Sequence, residues 1–114
     1  MRCAPLAALF VNDPSKLMKA AMRDARITHW DIKAASCSAL LCLALRSLLL
    51  GDLKEDSLRT ADEILMENDL DLYNPVPDVS FLAEEDLKPG IAAVDTLTCA
   101  FRQFKEGKNF EDML

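Results

Sequence analysis

One run limits what this chain can fold into: residues 32–50, followed by Gly51. Asp31 before the run is a good N-cap, and Gly51 suits the position just past a helix end. The spacing predicts a helix of about 19 residues, roughly 28 Å long. It is apolar nearly all round from residue 34 to residue 45. Lys33, Ser36, Ser38 and Arg46 interrupt it. Its longest unbroken apolar stretch, residues 39–45, is about seven residues, against the roughly 20 needed to cross a bilayer. The expected role is therefore a central helix covered by others, the most buried of the chain. With 114 residues the chain is one domain at most, and it covers such a helix only in part.

Other helices are predicted on both sides. Asp13-Pro14 is a strong start, a capping carboxylate followed by proline at the first helical position. Leu17, Met18, Met22 and Ala25 then fall on one side of a helix ending near Ile27. A third helix is expected over residues 53–68, with Leu58, Ala61, Ile64 and Leu65 on one face. Residues 70–89 contain Pro75, Pro77 and Pro89 and show no period, which predicts a long loop. A fourth helix is expected from Ile91 to about Lys105, stopped by Gly107, and Asn109 caps a terminal turn over residues 110–114. The opening MRCAPLAALF has no basic head and no small-residue cleavage site, so it is not a signal peptide. Arg2, Cys3 and Pro5 read there as interruptions of an apolar stretch. The expected fold class is all-α, a partial helical bundle of four main helices without a sheet.

Charge and composition exclude some partners. The net charge of −6 opposes non-specific binding to nucleic acid or to an anionic membrane. Aromatic residues are only 6 % of the chain, too few for a base-stacking platform. Cys3, Cys37, Cys42 and Cys99 form no C-x-x-C pair, and His29 is the single histidine. No zinc spacing results. Three of the cysteines lie in apolar helical patterns, as reduced core thiols do, which fits a reducing, cytoplasmic setting.

The residues offer few sites. His29 stands at a helix-to-helix junction, where it either bonds a loop carbonyl or caps a helix end, or else provides a polar contact in a cleft. Spacing alone does not choose between these. Gly90, before the last helix, leaves backbone N–H groups uncovered for a ligand, or is a plain loop-to-helix turn. Asp95 and Thr96 point about 100° apart on a helix and form no pair, so Asp95 reads as structural. Glu84, Glu85 and Asp86 read as a solvated loop. There is no nucleophile arrangement and no phosphate-binding glycine loop.

Three segments add to this. Met1-Arg2-Cys3-Ala4-Pro5-Leu6 resembles the M-R-x-A-P-L segment of the ADP-ribosylglycohydrolase family. Ala25-Arg26-Ile27-Thr28-His29 resembles that family's A-R-x-T-H segment. The stretch from Gly90-Ile91-Ala92-Ala93 through Thr96-Leu97 to Ala100-Phe101 resembles the helix before its last metal-binding motif. The three stand in the family's order and span nearly the whole chain.

The resemblance implies an all-helical fold larger than this chain and an enzyme that removes ADP-ribose from a protein or small molecule. It implies two divalent cations, magnesium or manganese, held by a T-D-D segment and a G-G-D-x-D-T segment. Neither segment occurs among these 114 residues. By resemblance the chain corresponds to the central part of the fold, with no catalytic residue and no metal ligand of its own, and it is expected to bind no cation alone. Its carried-over substrate-lining residues are His29, Gly90 and Ile91, with Arg2 beside the substrate loop as a phosphate contact or a structural ion pair. Self-association through uncovered apolar surface is also expected. The alternative is a non-catalytic helical interaction module derived from the same family.

Overall fold

The structure is a computed structural model, described here for residues 2–68 and 93–107. These fall in two compact units, Met1–Pro75 and Val76–Leu114. The first holds four helices: α1 (Ala4–Leu9), α2 (Pro14–Arg26), α3 (Ile32–Leu49) and α4 (Lys54–Asn68). The second holds α5 (Ala93–Glu106). No strand occurs among the described residues, so the chain is all-α, as its periodicity predicts.

In the first unit, α3 is the core. α2 and α4 pack on it most extensively and α1 packs on it as well. Ala35, Cys37, Ala39, Leu40, Cys42, Leu43 and Ala44 are all buried along it. By length and composition α3 would also suffice to cross a membrane, with a mean hydropathy of 1.6. Half of it is buried inside the protein, however, and that is how a core helix behaves. Its buried hydroxyls are satisfied locally: Ser36 Oγ donates to the Ile32 carbonyl at 2.9 Å, and Ser47 Oγ donates to Asp52. A serine on this helix therefore carries no desolvation penalty that would turn it outward.

Local chemistry sets the ends. Asp13 caps α2, its carboxylate accepting from the Lys16 amide at 2.9 Å, with Pro14 behind it in the first turn. Asp31 caps α3 by accepting from the Lys33 amide at 3.1 Å. At the other end of α3, Gly51 takes φ 95°, the only positive-φ residue among those described. Its N–H donates to Leu48 at 3.0 Å and that of Asp52 to Ser47 at 3.1 Å. This pair of bonds is the Schellman closure, and it requires a left-handed residue where Gly51 stands. The chain turns there into α4, whose first turn carries Glu55 and Asp56 toward the positive end of the helix dipole.

α1 is not predicted by the sequence pattern. Pro5 sits in its first turn, where a proline fits because the missing N–H has no helical partner anyway. Only Ala7 among its residues is fully buried, and six residues are too few for an apolar period to show. Arg46, from the last turn of α3, donates Nε to the Val11 carbonyl at 2.6 Å and so ties down the connection between α1 and α2.

α5, in the second unit, carries Leu97 and Phe101 one turn apart as its buried apolar residues. Arg102 Nε pairs with Glu106 at 2.6 Å, an i,i+4 bridge near its end. The expected loop over 70–89, the start of the last helix at Ile91 and the terminal turn over 110–114 lie outside the described residues.

Candidate functional site

The site builds up around the C-terminal end of α2, where the chain turns into α3. The Ala25 carbonyl takes both the Thr28 amide at 3.2 Å and the His29 amide at 2.9 Å. That closes the last turn and lifts residues 27–30 out of the helix. All four are exposed. The junction is therefore a protruding rim that presents an imidazole, a hydroxyl and an indole to solvent.

His29 projects its ring from this rim, with Nδ1 2.9 Å from Thr28 Oγ1. The Thr28 hydroxyl also lies 3.4 Å from the Ala25 carbonyl, the longer of its two contacts. With the Thr28 proton given to Ala25, Oγ1 accepts from His29 Nδ1–H, and the protonated ring also presents Nε2–H as a donor to solvent. A donor there is what a phosphate oxygen or ribose hydroxyl needs. The His29 amide thus bonds a carbonyl of the last turn of α2, and its ring is exposed.

Arg2 reaches the same helix end from the start of the chain. Its Nε lies 3.1 and 3.3 Å from the two carboxylate oxygens of Asp24, and Nη2 donates to the Asp24 carbonyl at 3.0 Å. Arg2 and His29 are thus anchored on consecutive carbonyls, Asp24 and Ala25. The ion pair is partly exposed, so water screens it. The guanidinium is held in place by Asp24, which orients it while also neutralising its charge.

Trp30 was not singled out by sequence spacing. Its ring is 84 % exposed, and the Arg26 guanidinium lies over it, 5.8 Å from the centroid. The signal that could have found it is composition: the chain has one tryptophan, and it adjoins the one histidine. Gly90 and Ile91, the remaining predicted site residues, lie outside the described residues. Asp95 sits in the first turn of α5, where a carboxylate favours the helix dipole. Among the described residues no group of three or more His, Cys, Asp or Glu side chains could hold a metal ion.

The thiols differ among themselves. Cys42 Sγ donates to the Cys3 carbonyl at 3.4 Å in the core, and the coupling of the two residues draws the Cys3 thiol down and pushes that of Cys42 up. Cys37 is pushed up to about 11, first by burial and then by the nearby Asp31 charge.

The family model for ADP-ribosylglycohydrolase matches residues 1–114, and the chain belongs to that family. No curated protein and no solved structure matches it.

Proposed function

We propose that this member of the ADP-ribosylglycohydrolase family supplies the substrate-facing helices of a hydrolase that removes ADP-ribose from a modified protein or small molecule. The observation that carries this reading is the family match over the whole chain. The rim after α2 agrees with it, because it presents His29 and Arg2 at one helix end, and a histidine donor and a guanidinium suit a diphosphate.

The family's divalent cation does not fit the described residues, which bring no cluster of ligands together. In this reading the carboxylate segments that hold magnesium or manganese lie outside these 114 residues, and the chain alone does not turn over. Its own residues bind and orient. His29 offers Nε2–H to the diphosphate or the adenosine-side ribose. Arg2, steered by Asp24, contributes positive charge near the same phosphates. By resemblance Gly90 and Ile91 also line the substrate. The setting is cytoplasmic and reducing.

The test is release of ADP-ribose from ADP-ribosylated arginine and serine peptides. The 114-residue chain is expected to release none, with or without magnesium or manganese. The same chain joined to T-D-D and G-G-D-x-D-T segments of the family is expected to release it. Turnover by the unextended chain would overturn this placement of the chemistry. Failure of the extended protein to bind ADP-ribose at all would overturn the substrate class.

A further inference from the structure

Cys3 stands at the N-cap position of α1, yet its side chain makes no capping bond. The thiol turns instead toward α3, where its sulfur lies 4.0 Å from the Ser38 carbonyl. One helical turn further on, Cys42 Sγ donates back to the Cys3 carbonyl at 3.4 Å. Both residues are buried, 3 % and 0 % exposed. Cys42 thus lies against the Cys3 backbone, and the Cys3 sulfur lies against the turn of α3 that leads to Cys42, which brings the two thiols to the same place between α1 and α3.

We infer that Cys3 and Cys42 form a redox pair, oxidised reversibly by hydrogen peroxide to an intramolecular disulfide that ties the start of α1 to the middle of α3. This is independent of the hydrolase reading. Peroxide is the fitting oxidant because the pair is buried: a small neutral molecule needs a smaller opening to reach it than a bulky disulfide such as oxidised glutathione. The Cys3 thiolate attacks one peroxide oxygen, breaking the O–O bond and leaving a sulfenic acid on Cys3 and hydroxide, which takes up a proton to become water. The Cys42 sulfur then attacks the Cys3 sulfur and expels the sulfenic oxygen, which leaves as water with the proton Cys42 gives up. In sum, two thiols and one peroxide give one disulfide and two waters. A dithiol reverses the step by exchange.

Acidity favours this order of events. Hydrogen bonding, first from Cys42, lowers the Cys3 thiol below its ordinary value against the opposing effect of burial, which favours Cys3 as the first of the two to react. Cys37, buried on the same helix and pushed up to about 11, remains a thiol and is the internal control. Cys99 lies in the second unit.

The experiment is mild peroxide treatment of the native chain, alkylation, and non-reducing peptide mapping. The expected result is loss of two of the four alkylatable thiols, a peptide joining Cys3 to Cys42 that is lighter by two hydrogens, and recovery of all four thiols with dithiothreitol. The Cys37→Ser variant is expected to give the same bridge. Oxidation in denaturing urea is expected to scatter the pairings, because the selectivity comes from the fold. A bridge through Cys37 or Cys99, sulfinic acid on Cys3 without a bridge, covalent dimers, or four thiols unchanged by peroxide would each overturn the inference.

Discussion

Arg2 Nε lies 3.1 Å from Asp24 Oδ1 across a sequence separation of 22 residues, and Nη2 of the same arginine donates to the Asp24 backbone carbonyl. The pair fastens the start of the chain to the last turns of α2. It also fixes where a positive charge stands beside the His29 rim. Because both side chains are partly exposed, the energy involved is modest. Arg2→Ala or Asp24→Ala is expected to cost about 0.5–1 kcal/mol, with most of it recovered as coupling in the double variant. Urea unfolding of the four species measures this, and added salt should weaken the coupling. Additive single effects would mean that the contact contributes nothing to stability.

The turn between α3 and α4 gives a cleaner case, since backbone alone decides it. Gly51 has φ 95°, and a Cβ built on it would meet nothing within 4 Å. No clash confounds the substitution. Gly51→Ala is expected to destabilise by about 1–2 kcal/mol, the cost of a left-handed conformation for an ordinary residue. Gly51→Asn should cost less, because asparagine tolerates that region. Equal losses for the two variants, read by thermal or urea unfolding, would contradict the assignment of the cost to φ.

Acid should weaken the start of α2. Hydrogen bonding from the Lys16 amide, and then the Lys16 side chain, lowers the Asp13 carboxyl below its ordinary 3.8. A carboxyl lowered in the folded state contributes stability above the unfolded value and loses it as pH falls through the folded value. Asp13→Asn keeps a capping oxygen and removes the titration. The stability advantage of the native chain over this variant is therefore expected to be constant above about pH 5 and to shrink below the ordinary carboxylate range. Urea unfolding at a series of pH values reads the difference, and an advantage independent of pH would remove Asp13 from the account.

What was legible in the sequence divides by range. The long helix was legible because an apolar character all round can be satisfied only at the centre, and α3 is there. The start of α2 was legible because Asp13 and Pro14 act within one turn. α1 was not, since Pro5 has opposite meanings at the first turn and in a helix interior, and six residues show no period. In the site, the exposed junction at His29 followed from local punctuation. The partnerships of Arg2 with Asp24 and of Cys3 with Cys42 span 22 and 39 residues, and no local pattern reports them.

His29 should separate binding from stability. Its ring is exposed and its one side-chain partner is the adjoining Thr28. His29→Ala is therefore expected to change unfolding stability by no more than about 0.5 kcal/mol. In the protein extended with its metal-bearing segments, the same change is expected to weaken ADP-ribose binding by about 1–3 kcal/mol, the range for a hydrogen bond to a charged group. Calorimetry with ADP-ribose, beside urea unfolding, makes the comparison. Unchanged affinity would leave His29 with only its backbone role at the end of α2.

The last prediction concerns the surface around the α3–α4 turn. Leu49, Leu50 and Leu53 are 59, 51 and 67 % exposed, and they are close neighbours in sequence. Scattered exposed leucines are ordinary, but three within five positions make a continuous apolar edge. The isolated 114-residue chain is accordingly expected to self-associate, and to bind an apolar dye, in proportion to its concentration. The variant Leu49→Lys with Leu53→Glu is designed to break the edge without harming either helix. The lysine enters the last turn of α3 and the glutamate the start of α4, each at the end whose dipole favours its charge. Sedimentation should move toward monomer in that variant while helical circular dichroism is retained. A wild-type chain that is monomeric at every concentration, with a sharp cooperative thermal transition, would show that this edge drives no association. A variant that associates as before would show that association runs through another surface.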